Sequence, residues 1–572
     1  MRISRRRAGI AGVLALALLG LSACSSSDDG NDQDNVSTGF ADCETKPNEC
    51  NSDKVKTGGS LTYTIEKKIT GWNVLDSDTN TFDISQVVNG VLPSVFIAYP
   101  DLEPHLNPDL MVSAEQTSAA PQTLVYKIRP EAVWDDGTPI TADDFIYNWQ
   151  TNNGKDCTAC ASASTAGYEH VASVTGSDNG KTVTVVMATP YTDWRQMFGP
   201  FYPSHIAKQH GDLAASWKWF NENQPTYSGG PYKITEYQKD VSVTETANPR
   251  WYGKTKPSLE KLVFRIITEQ SQAVPALQNN EVQAIYPQPN ADIVSQVKAI
   301  PNVQFTLGKG LVWEHFDMNL KNEFLADKAL RLAMFTATNT KDIIAKTIGQ
   351  FAPNSVPLGS HNFMPGQPGY VDQVTPTGQG TGDLEKAKKV LTDAGYTGVG
   401  TELKTRDGRA VPALRVRYTA GNVLRQQTCE LFQAQMKALG ITITVEPTQT
   451  LGPTLTSGDF DVILYAWVGT PFPFQGAIQL WGSESESNYA KWVNKDSDTA
   501  IQEAAAQTDP AKANELLNKS GALLAGDAVV LPLFQKPTFL AVYSQYANVR
   551  DNATNQGPTY NVEAWGLRAS VS

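Results

Sequence analysis

The stretch LVYKIRPEAVWDDGTPITADDF, residues 124–145, carries the signals of a strand, a tight turn and the start of a helix in immediate succession. Leu, Tyr and Ile occupy every second position from 124 to 128, which is the pattern of a strand with one buried face. The Asp-Asp-Gly-Thr-Pro run that follows is typical of a turn, because Gly137 can adopt a positive φ and the proline cannot continue a strand. Thr141, with Asp144 three residues later, predicts a capping box at the start of a helix.

Strand and helix patterns alternate along much of the remaining chain. The period-two pattern recurs in residues 61–65, 183–187 and 441–445, whereas apolar side chains follow helical spacing after Asp383 and in residues 424–439. This alternation, interrupted by a long insertion, indicates an α/β protein.

Four further segments accompany residues 124–145 in a fixed order along the chain. They are 229–267, with the motifs Gly-Gly-Pro-Tyr and Asn-Pro-Arg-Trp-Tyr-Gly, then 382–396, 435–462 and 488–494. With these segments the chain resembles the family 5 (peptide/nickel type) solute-binding proteins of ATP-driven importers. The resemblance extends over roughly residues 58–550, nearly the whole chain.

The resemblance implies a particular α/β architecture, the type II periplasmic-binding-protein fold. In this fold two lobes are joined by a hinge, and the family inserts an extra domain into the first lobe. The implied boundaries are 58–98, 225–305 and 525–572 for lobe I, 99–224 for the inserted domain, and 306–524 for lobe II.

The N-terminus has the pattern of a bacterial lipoprotein signal. A basic start of four arginines precedes the short apolar run 8–20, which is too short to span a bilayer comfortably. The sequence Leu-Ser-Ala-Cys that follows resembles a lipobox, so we expect residues 1–23 to be removed and Cys24 to be acylated. The alternative is an ordinary secretory signal with an incidental cysteine. The Ser- and Asp-rich residues after Cys24 predict a flexible tether over 24–57.

The composition favours a large body that binds neither nucleic acid nor a second membrane surface. The formal net charge is -12, and loss of the four arginines in residues 1–23 would make it more negative still. An acidic surface with few basic runs argues against nucleic-acid binding. The length predicts two or three lobes.

The cysteines predict two local disulfides, Cys43 with Cys50 and Cys157 with Cys160, because an extracytoplasmic location permits them. The Cys157–Cys160 spacing also fits a redox pair, or a metal pair with His170. The surrounding Gly-, Asn- and Ser-rich loop favours the structural disulfide.

The chain has none of the common catalytic motifs. A zinc-protease helix, a nucleophile elbow and a Walker A loop are all missing from the sequence, and the six histidines are scattered. We therefore expect a binding protein without a catalytic site, cofactor or metal.

Most of the candidate ligand contacts follow from the resemblance. In family members that hold peptides, an extended ligand lies between the lobes, and one of the segments beside it corresponds to residues 465–474. This implies contacts from Trp467, Val468, Thr470 and Phe472, although Trp467 could equally be a packed aromatic. Asn488 and Tyr489 match an Asn-Tyr pair near the rim of the family's cleft.

Thr470 is the main departure from the family pattern. Many peptide binders carry at this position the aspartate that neutralises the peptide's amino terminus, and a threonine cannot supply that charge. An acid in the loop after the first strand, namely Asp76, Asp78 or Asp83, could replace it.

Trp313 and His315 are further candidates for ligand contact. They lie on one face of a predicted strand that crosses into lobe II, but alternation alone does not say which face meets the ligand, and core packing is the alternative.

Together with the lipobox, the resemblance to family 5 implies a monomeric, lipid-anchored receptor on the outer face of the cell membrane. It would deliver an oligopeptide or similar solute to a permease whose ATPase subunits lie inside the cell. A cell-envelope regulator or scaffold on the same fold is the second hypothesis. A secreted hydrolase is the third, and it would need a nucleophile and base that the sequence does not show.

Overall fold

The structure is a computed structural model that describes residues 39–449, 451–485 and 487–569. Cys24, the predicted signal peptide and the first part of the predicted tether lie outside the described residues.

Nineteen strands are assigned in the described residues. Their bounds are β1 Val55–Lys56, β2 Ser60–Ile65, β3 Phe96–Ala98, β4 Pro104–Leu106, β5 Met111–Ala119, β6 Gln122–Ile128, β7 Val171–Ser177, β8 Thr182–Met187, β9 Tyr232–Gln238, β10 Ser242–Ala247, β11 Lys261–Ile266, β12 Ala284–Ile285, β13 Val303–Met318, β14 Leu414–Thr419, β15 Ile443–Thr448, β16 Val462–Val468, β17 Val530–Tyr543, β18 Tyr546–Ala547 and β19 Gly566–Arg568.

Fourteen α-helices are assigned in the same residues. Their bounds are α1 Phe82–Val88, α2 Ala142–Asn152, α3 Ser204–Ala207, α4 Leu213–Glu222, α5 Ala273–Gln278, α6 Ala291–Lys298, α7 Lys328–Ala337, α8 Thr340–Lys346, α9 Leu384–Asp393, α10 Val423–Lys437, α11 Leu451–Ser457, α12 Pro473–Trp481, α13 Lys495–Ala505 and α14 Pro510–Gly526. Within the described part of the chain, no helix is both long and apolar enough to cross a membrane.

One ten-stranded mixed sheet runs through the molecule in the order β15-β14-β16-β13-β17-β12-β2-β11-β10-β9. Its two longest strands, β13 and β17, lie side by side at the centre and pair antiparallel from Val303 to Asp317. We call the half of the sheet from β12 to β9, with the segments packed on it, lobe I. The half from β15 to β16, with the paired ends of β13 and β17 and helices α7–α14, is lobe II. The crossover strands β13 and β17 therefore join the lobes.

The inserted region carries a second, four-stranded sheet in the order β5-β6-β8-β7, against which α2 packs. Its core is continuous with that of lobe I: Trp134 and Phe145 belong to the same buried cluster as Tyr63 and Leu262. A second buried cluster fills lobe II around Phe316 and Phe432. The lobe and domain boundaries expected from the resemblance remain predictions.

The local signals in residues 124–145 are realised as strand, turn and helix. Thr141 caps α2, with its hydroxyl accepting the Asp143 N–H while the Asp144 carboxylate accepts the Thr141 N–H, which is a capping box. Gly137 has a φ of 93°, as the turn requires. Asp383 likewise caps α9 by accepting the Lys386 N–H at 2.9 Å.

The predicted tether is too long, because residues 39–57 are folded against lobe I. Val55 and Lys56 pair with Arg568 and Leu567, and the Asn51 side chain donates to the Val549 carbonyl at 2.8 Å. The Cys43–Cys50 disulfide lies in this segment, and Cys157 is bonded to Cys160. The Ser- and Asp-rich composition that predicted a tether ends before this segment, so the boundary at 57 was wrong.

Candidate functional site

A cavity of about 1340 Å³ lies between the lobes. Lobe II contributes only the uncharged segment 468–471 and Val312 to its lining, whereas lobe I and the inserted region contribute the rest. The charged residues of the lining all come from this second group, and they are Glu66, Lys67, Asp83, Asp109, Arg129, Glu131, Lys254 and Glu563. The two faces of the cavity therefore differ in chemistry.

Asp83 and Glu66 are brought together by the end of β2 and the start of α1. Thr81 caps α1, which fixes the aspartate in the first turn of the helix. From there the Asp83 carboxylate accepts the backbone N–H groups of Glu66 and Lys67 at 2.6 and 2.9 Å. Burial and the nearby Asp83 raise the pKa of Glu66, and Lys67 opposes the shift. This corner of the cavity is acidic.

An aromatic shelf adjoins the acidic corner. Phe82 is 41% exposed, unusually high for a phenylalanine, and stacks on Tyr286 with ring centroids 6.1 Å apart. The Tyr286 hydroxyl donates to Asp551 at 2.7 Å, and Thr538 donates to the other oxygen of the same carboxylate at 2.5 Å. The shelf is thus held rigidly by hydrogen bonds behind it, while the face of Phe82 stays open to the cavity.

A second group of aromatic and acidic side chains lines the cavity around Tyr99 and Tyr560, whose ring centroids are 5.1 Å apart. Burial raises the pKa of Glu563 to about 7, against the opposing effects of its own backbone N–H and of Arg550. Burial also raises the pKa of Tyr99 to about 12. Glu563 can therefore exchange a proton near neutral pH.

The lobe II face is the loop that follows β16. The Gly469 N–H donates to the Leu311 carbonyl at 2.8 Å, and the Thr470 carbonyl accepts from the Gln367 side chain at 2.9 Å. The Thr470 hydroxyl accepts the Phe472 N–H at 3.1 Å. Val468 is 72% exposed and presents an apolar side chain to the cavity. This loop is well anchored, and its cavity face carries no charge.

The remaining predicted contacts lie behind or beside the cavity. Trp467 is half-buried and stacks on Tyr489, with centroids 5.8 Å apart and an interplanar angle of 7°. Asn488 is buried and uses its amide to bond the backbone of Trp492. Phe472 precedes α12, and like the other three it is not part of the lining.

The structure does not place Trp313 and His315 against the cavity. Trp313 is 1% exposed and His315 is fully buried. The His315 ring bonds the Asp317 carboxylate at 2.8 Å, and that carboxylate also accepts the Tyr465 hydroxyl at 2.7 Å. A buried side chain cannot contact a ligand in this conformation, and Glu314 between the two is buried as well, so β13 is covered on both faces here.

Of the three acids suggested as substitutes for an aspartate at position 470, only Asp83 lines the cavity. Asp76 is buried against the Trp217 indole N–H at 2.7 Å, and Asp78 is exposed. Glu66, Phe82, Tyr286 and Glu563 also line the cavity, and no motif in the sequence indicates them. Their only available signal was the position of Glu66 and Phe82 next to the predicted loop after the first strand.

The lobes also touch away from β13 and β17. The Thr192 N–H donates to the Ala505 carbonyl at 3.0 Å, and the Thr192 hydroxyl lies 2.6 Å from both the Ala504 and the Gln507 carbonyl oxygens. Thr192 follows β8 in the inserted region, and its partners end α13 in lobe II. This contact links the inserted region directly to lobe II.

Within the described residues, no group of three or more His, Cys, Asp or Glu side chains is placed to hold a metal ion.

Known proteins resemble this chain over most of its length. The profile of the bacterial extracellular solute-binding proteins, family 5 (Middle), matches residues 105–489. The oligopeptide-binding protein OppA of Mycobacterium tuberculosis is 31% identical over 504 residues, which are 86% of this chain and 82% of OppA.

Solved structures give the same picture. The periplasmic EDTA-binding protein EppA is 35% identical with a TM-score of 0.85, and the alignment covers 91% of this chain and 99% of EppA. The oligopeptide-binding protein AppA from Bacillus subtilis, solved with a nonapeptide, has a TM-score of 0.67 at 20% identity over 90% of this chain and 100% of AppA. These likenesses establish a two-lobed type II binding-protein fold.

Proposed function

Because the chain belongs to the family 5 bacterial extracellular solute-binding proteins, we propose that it is the lipid-anchored, extracytoplasmic receptor of an ATP-driven importer, and that it captures peptide-like solutes between its lobes. The observation that carries the proposal is the cavity of about 1340 Å³. This volume exceeds the roughly 300–1,000 Å³ of sites for drug-sized ligands, and it suits several residues of a peptide. The similarity to the oligopeptide-binding protein of M. tuberculosis supports the same ligand class.

The mechanism requires no chemistry on the ligand. A solute that contacts both faces of the cavity stabilises the closed arrangement, because it makes contacts there that it cannot make when the lobes are apart. Lobe I offers charges and aromatic rings, and the segment 468–471 of lobe II closes over the solute with its backbone and Val468. The closed receptor would then dock on the permease.

A second candidate ligand is an anionic chelate. It is favoured by Lys67 and Lys254, which line the cavity without a carboxylate at ion-pair distance among the described residues, and by the similarity to an EDTA-binding protein. The acidic side chains of the lining outnumber the basic ones, which favours the peptide-like ligand.

Native mass spectrometry of the full chain, extracted gently in detergent, tests the ligand class. The protein is offered a mixed pool of peptides of two to nine residues and, separately, magnesium EDTA. Capture of peptide masses supports the proposal. Capture of the chelate alone would indicate that the ligand is an anionic chelate. Failure to capture either would favour an envelope role without transport.

The lipid anchor needs its own experiment. Cells that express the protein are fed an alkyne-tagged fatty acid, and the protein is then examined for label. Cys24→Ala should abolish labelling, whereas Cys429→Ala should keep it, because Cys429 is a buried free thiol on α10. Labelling that persists without Cys24 would contradict the anchor.

A further inference from the structure

Among the described residues, Glu131 is the one of the five lining carboxylates with a Lys, Arg or His nitrogen at ion-pair distance. Asp109 accepts the Lys254 backbone N–H at 2.8 Å, Glu131 lies 3.7 Å from Arg129, and Arg550 lowers the pKa of Glu563. Glu66 and Asp83 differ in lying side by side at one corner of the cavity, without a Lys, Arg or His nitrogen at ion-pair distance among the described residues.

Asp83 is buried in a way that leaves one oxygen unused. The residue is only 7% exposed, and Oδ1 accepts both backbone N–H groups that reach the carboxylate. Oδ2 has no hydrogen-bond partner in the described part of the chain, and the residue lines the cavity. Oδ2 is not among the fully enclosed atoms that lack a partner, so a donor in the cavity can reach it and form a charge-assisted hydrogen bond.

Glu66 adds a second acid at the same corner. It follows β2 directly and makes no side-chain hydrogen bond to another described residue, and Asp83 lies close enough to raise its pKa. Two carboxylates that share a partly buried site repel each other, and a cation between them satisfies both. The Lys67 side chain next to them is exposed.

The surroundings favour an organic cation over a bare ion. The open face of Phe82 adjoins Asp83 along the chain, and the opposite wall of the cavity is Val468 and Thr470, which are uncharged. A primary ammonium attached to an apolar group fits this combination, because the charge meets the carboxylates and the apolar part meets the aromatic shelf.

We propose that Glu66 and Asp83 bind a primary ammonium of the ligand, so that lobe I supplies the counter-charge that Thr470 of lobe II cannot supply. The proposal rests on the proposed peptide-binding function, and it narrows the ligand to peptides that present a free amine at this corner. The amine can be the amino terminus or a lysine side chain, and the experiment separates these two sources.

The test is competitive capture by the full chain from a defined pool, read by mass spectrometry. The pool contains pentapeptides with apolar first residues in three forms: free amino terminus without lysine, N-acetylated without lysine, and N-acetylated with one lysine. We expect the native protein to capture the free-amine form about tenfold or more over the acetylated form without lysine, since hydrogen bonds to charged groups are among the stronger ones. Capture of the acetylated lysine form at the same level would assign the site to a side-chain amine.

Asp83→Asn and Glu66→Gln should each reduce this preference to within about threefold of equal capture. Asparagine keeps the oxygen that accepts the two backbone N–H groups, and the Glu66 side chain supports no described contact, so both variants should fold. Asp393→Asn and Glu385→Gln make the same chemical changes on the exposed face of α9 and should leave the preference unchanged.

Equal capture of the free and acetylated forms by the native protein would overturn the proposal and leave the peptide-binding function standing. Retention of the full preference in both variants would also overturn it. If the native protein captures no form at all, the peptide-binding function fails, and this proposal fails with it.

Discussion

Buried carboxylates in the two lobes differ in whether the protein supplies a partner for them. In lobe II, Glu314 on β13 is held by Arg425 at 3.0 Å and by Lys536 at 3.6 Å. In lobe I, Asp83 has no cation beside it, and Glu245 on β10 is fully buried with neither oxygen hydrogen-bonded to any described residue. Lobe II thus supplies a cation for Glu314, whereas lobe I supplies none for Asp83 or Glu245 among the described residues.

The difference indicates what each acid is for. A buried charge is tolerated when the protein supplies its partner, when it takes up a proton, or when something else brings the partner. The protein supplies cationic partners for Glu314. Glu245 instead favours its protonated form, because burial raises the pKa of Glu245 well above the ordinary value. For Asp83 and Glu66, the amine-binding proposal says that the ligand brings the cation. Lobe I would then recognise the ligand's charge, and lobe II would close over the ligand regardless of that charge.

The largest effect is expected where lobe II loses a partner. Arg425→Ala leaves Glu314 buried with only the more distant Lys536, and breaking a buried pair in this way costs about 3–5 kcal/mol. Urea unfolding followed by tryptophan fluorescence measures the loss. Lys512→Ala, which removes an exposed pair with Glu515, should cost less than about 1 kcal/mol. A loss for Arg425→Ala as small as this control would show that lobe II does not depend on its paired acids.

The ion pair of Arg425 and Glu314 is a contact that the sequence alone does not predict. The capping box at Thr141, the Asp383 cap and the Cys157–Cys160 disulfide could be predicted because their partners lie within a few residues of one another. Arg425 and Glu314 are 111 residues apart, and only the fold shows that they touch.

The lining of the cavity shows the same contrast between local and distant parts of the sequence. The segment 468–471 was found by its likeness to a family motif, whereas the lobe I wall is assembled from short pieces between residues 63 and 563 that have no common pattern. Trp313 and His315 do lie on a strand, β13, as their alternating pattern predicts. Glu314 and Phe316 on the other face are buried too, and burial on both faces of a strand is not visible in an alternating pattern.

The second largest effect concerns the acid that lobe I keeps neutral. Burial raises the pKa of Glu245 well above its ordinary value, so above the unfolded glutamate pKa of about 4.3 the folded protein keeps this proton over a pH range in which the unfolded chain has lost it. The unfolded state binds fewer protons, and therefore stability falls as pH rises above about 4. Glu245→Gln cannot ionise, so relative to the native protein it should gain up to about 1.4 kcal/mol per pH unit across this window.

Unfolding free energies measured at several pH values between 4 and 8 would show this change of slope. The test compares how the unfolding free energy changes with pH, so a pH-independent loss of stability caused by the glutamine itself does not affect it. Glu385→Gln, at an exposed position of α9, should leave the slope as in the native protein. Parallel curves for Glu245→Gln and the native protein would mean that Glu245 is ionised in the folded state and has a partner.

A smaller effect is expected at the Thr192 contact between the inserted region and lobe II. Thr192→Val removes the hydroxyl that faces the Ala504 and Gln507 carbonyls and keeps the backbone bond to Ala505. One hydrogen bond contributes about 1 kcal/mol, so captured peptide should dissociate about fivefold faster. Stopped-flow release of a fluorescent peptide measures the rate. Thr182→Val, whose hydroxyl bonds Asp178 within its own hairpin, should release the peptide at the native rate. An unchanged rate for Thr192→Val would show that this contact does not retain the ligand.

The smallest effect should come from Thr470, the residue at which the chain departs from the family pattern. Thr470→Val keeps the shape of the side chain and loses a hydroxyl whose described contact is the Phe472 N–H in its own loop. If lobe I supplies the counter-charge, affinity for a free-amine pentapeptide should change less than about threefold, and the preference over the acetylated form should stay. Isothermal titration with both forms of the peptide measures this, with Asp83→Asn as the comparison on the opposite wall. A loss of preference in Thr470→Val with none in Asp83→Asn would reverse the roles of the two faces: lobe II would recognise the amine through a neutral hydroxyl, and the unpaired acids of lobe I would need another explanation.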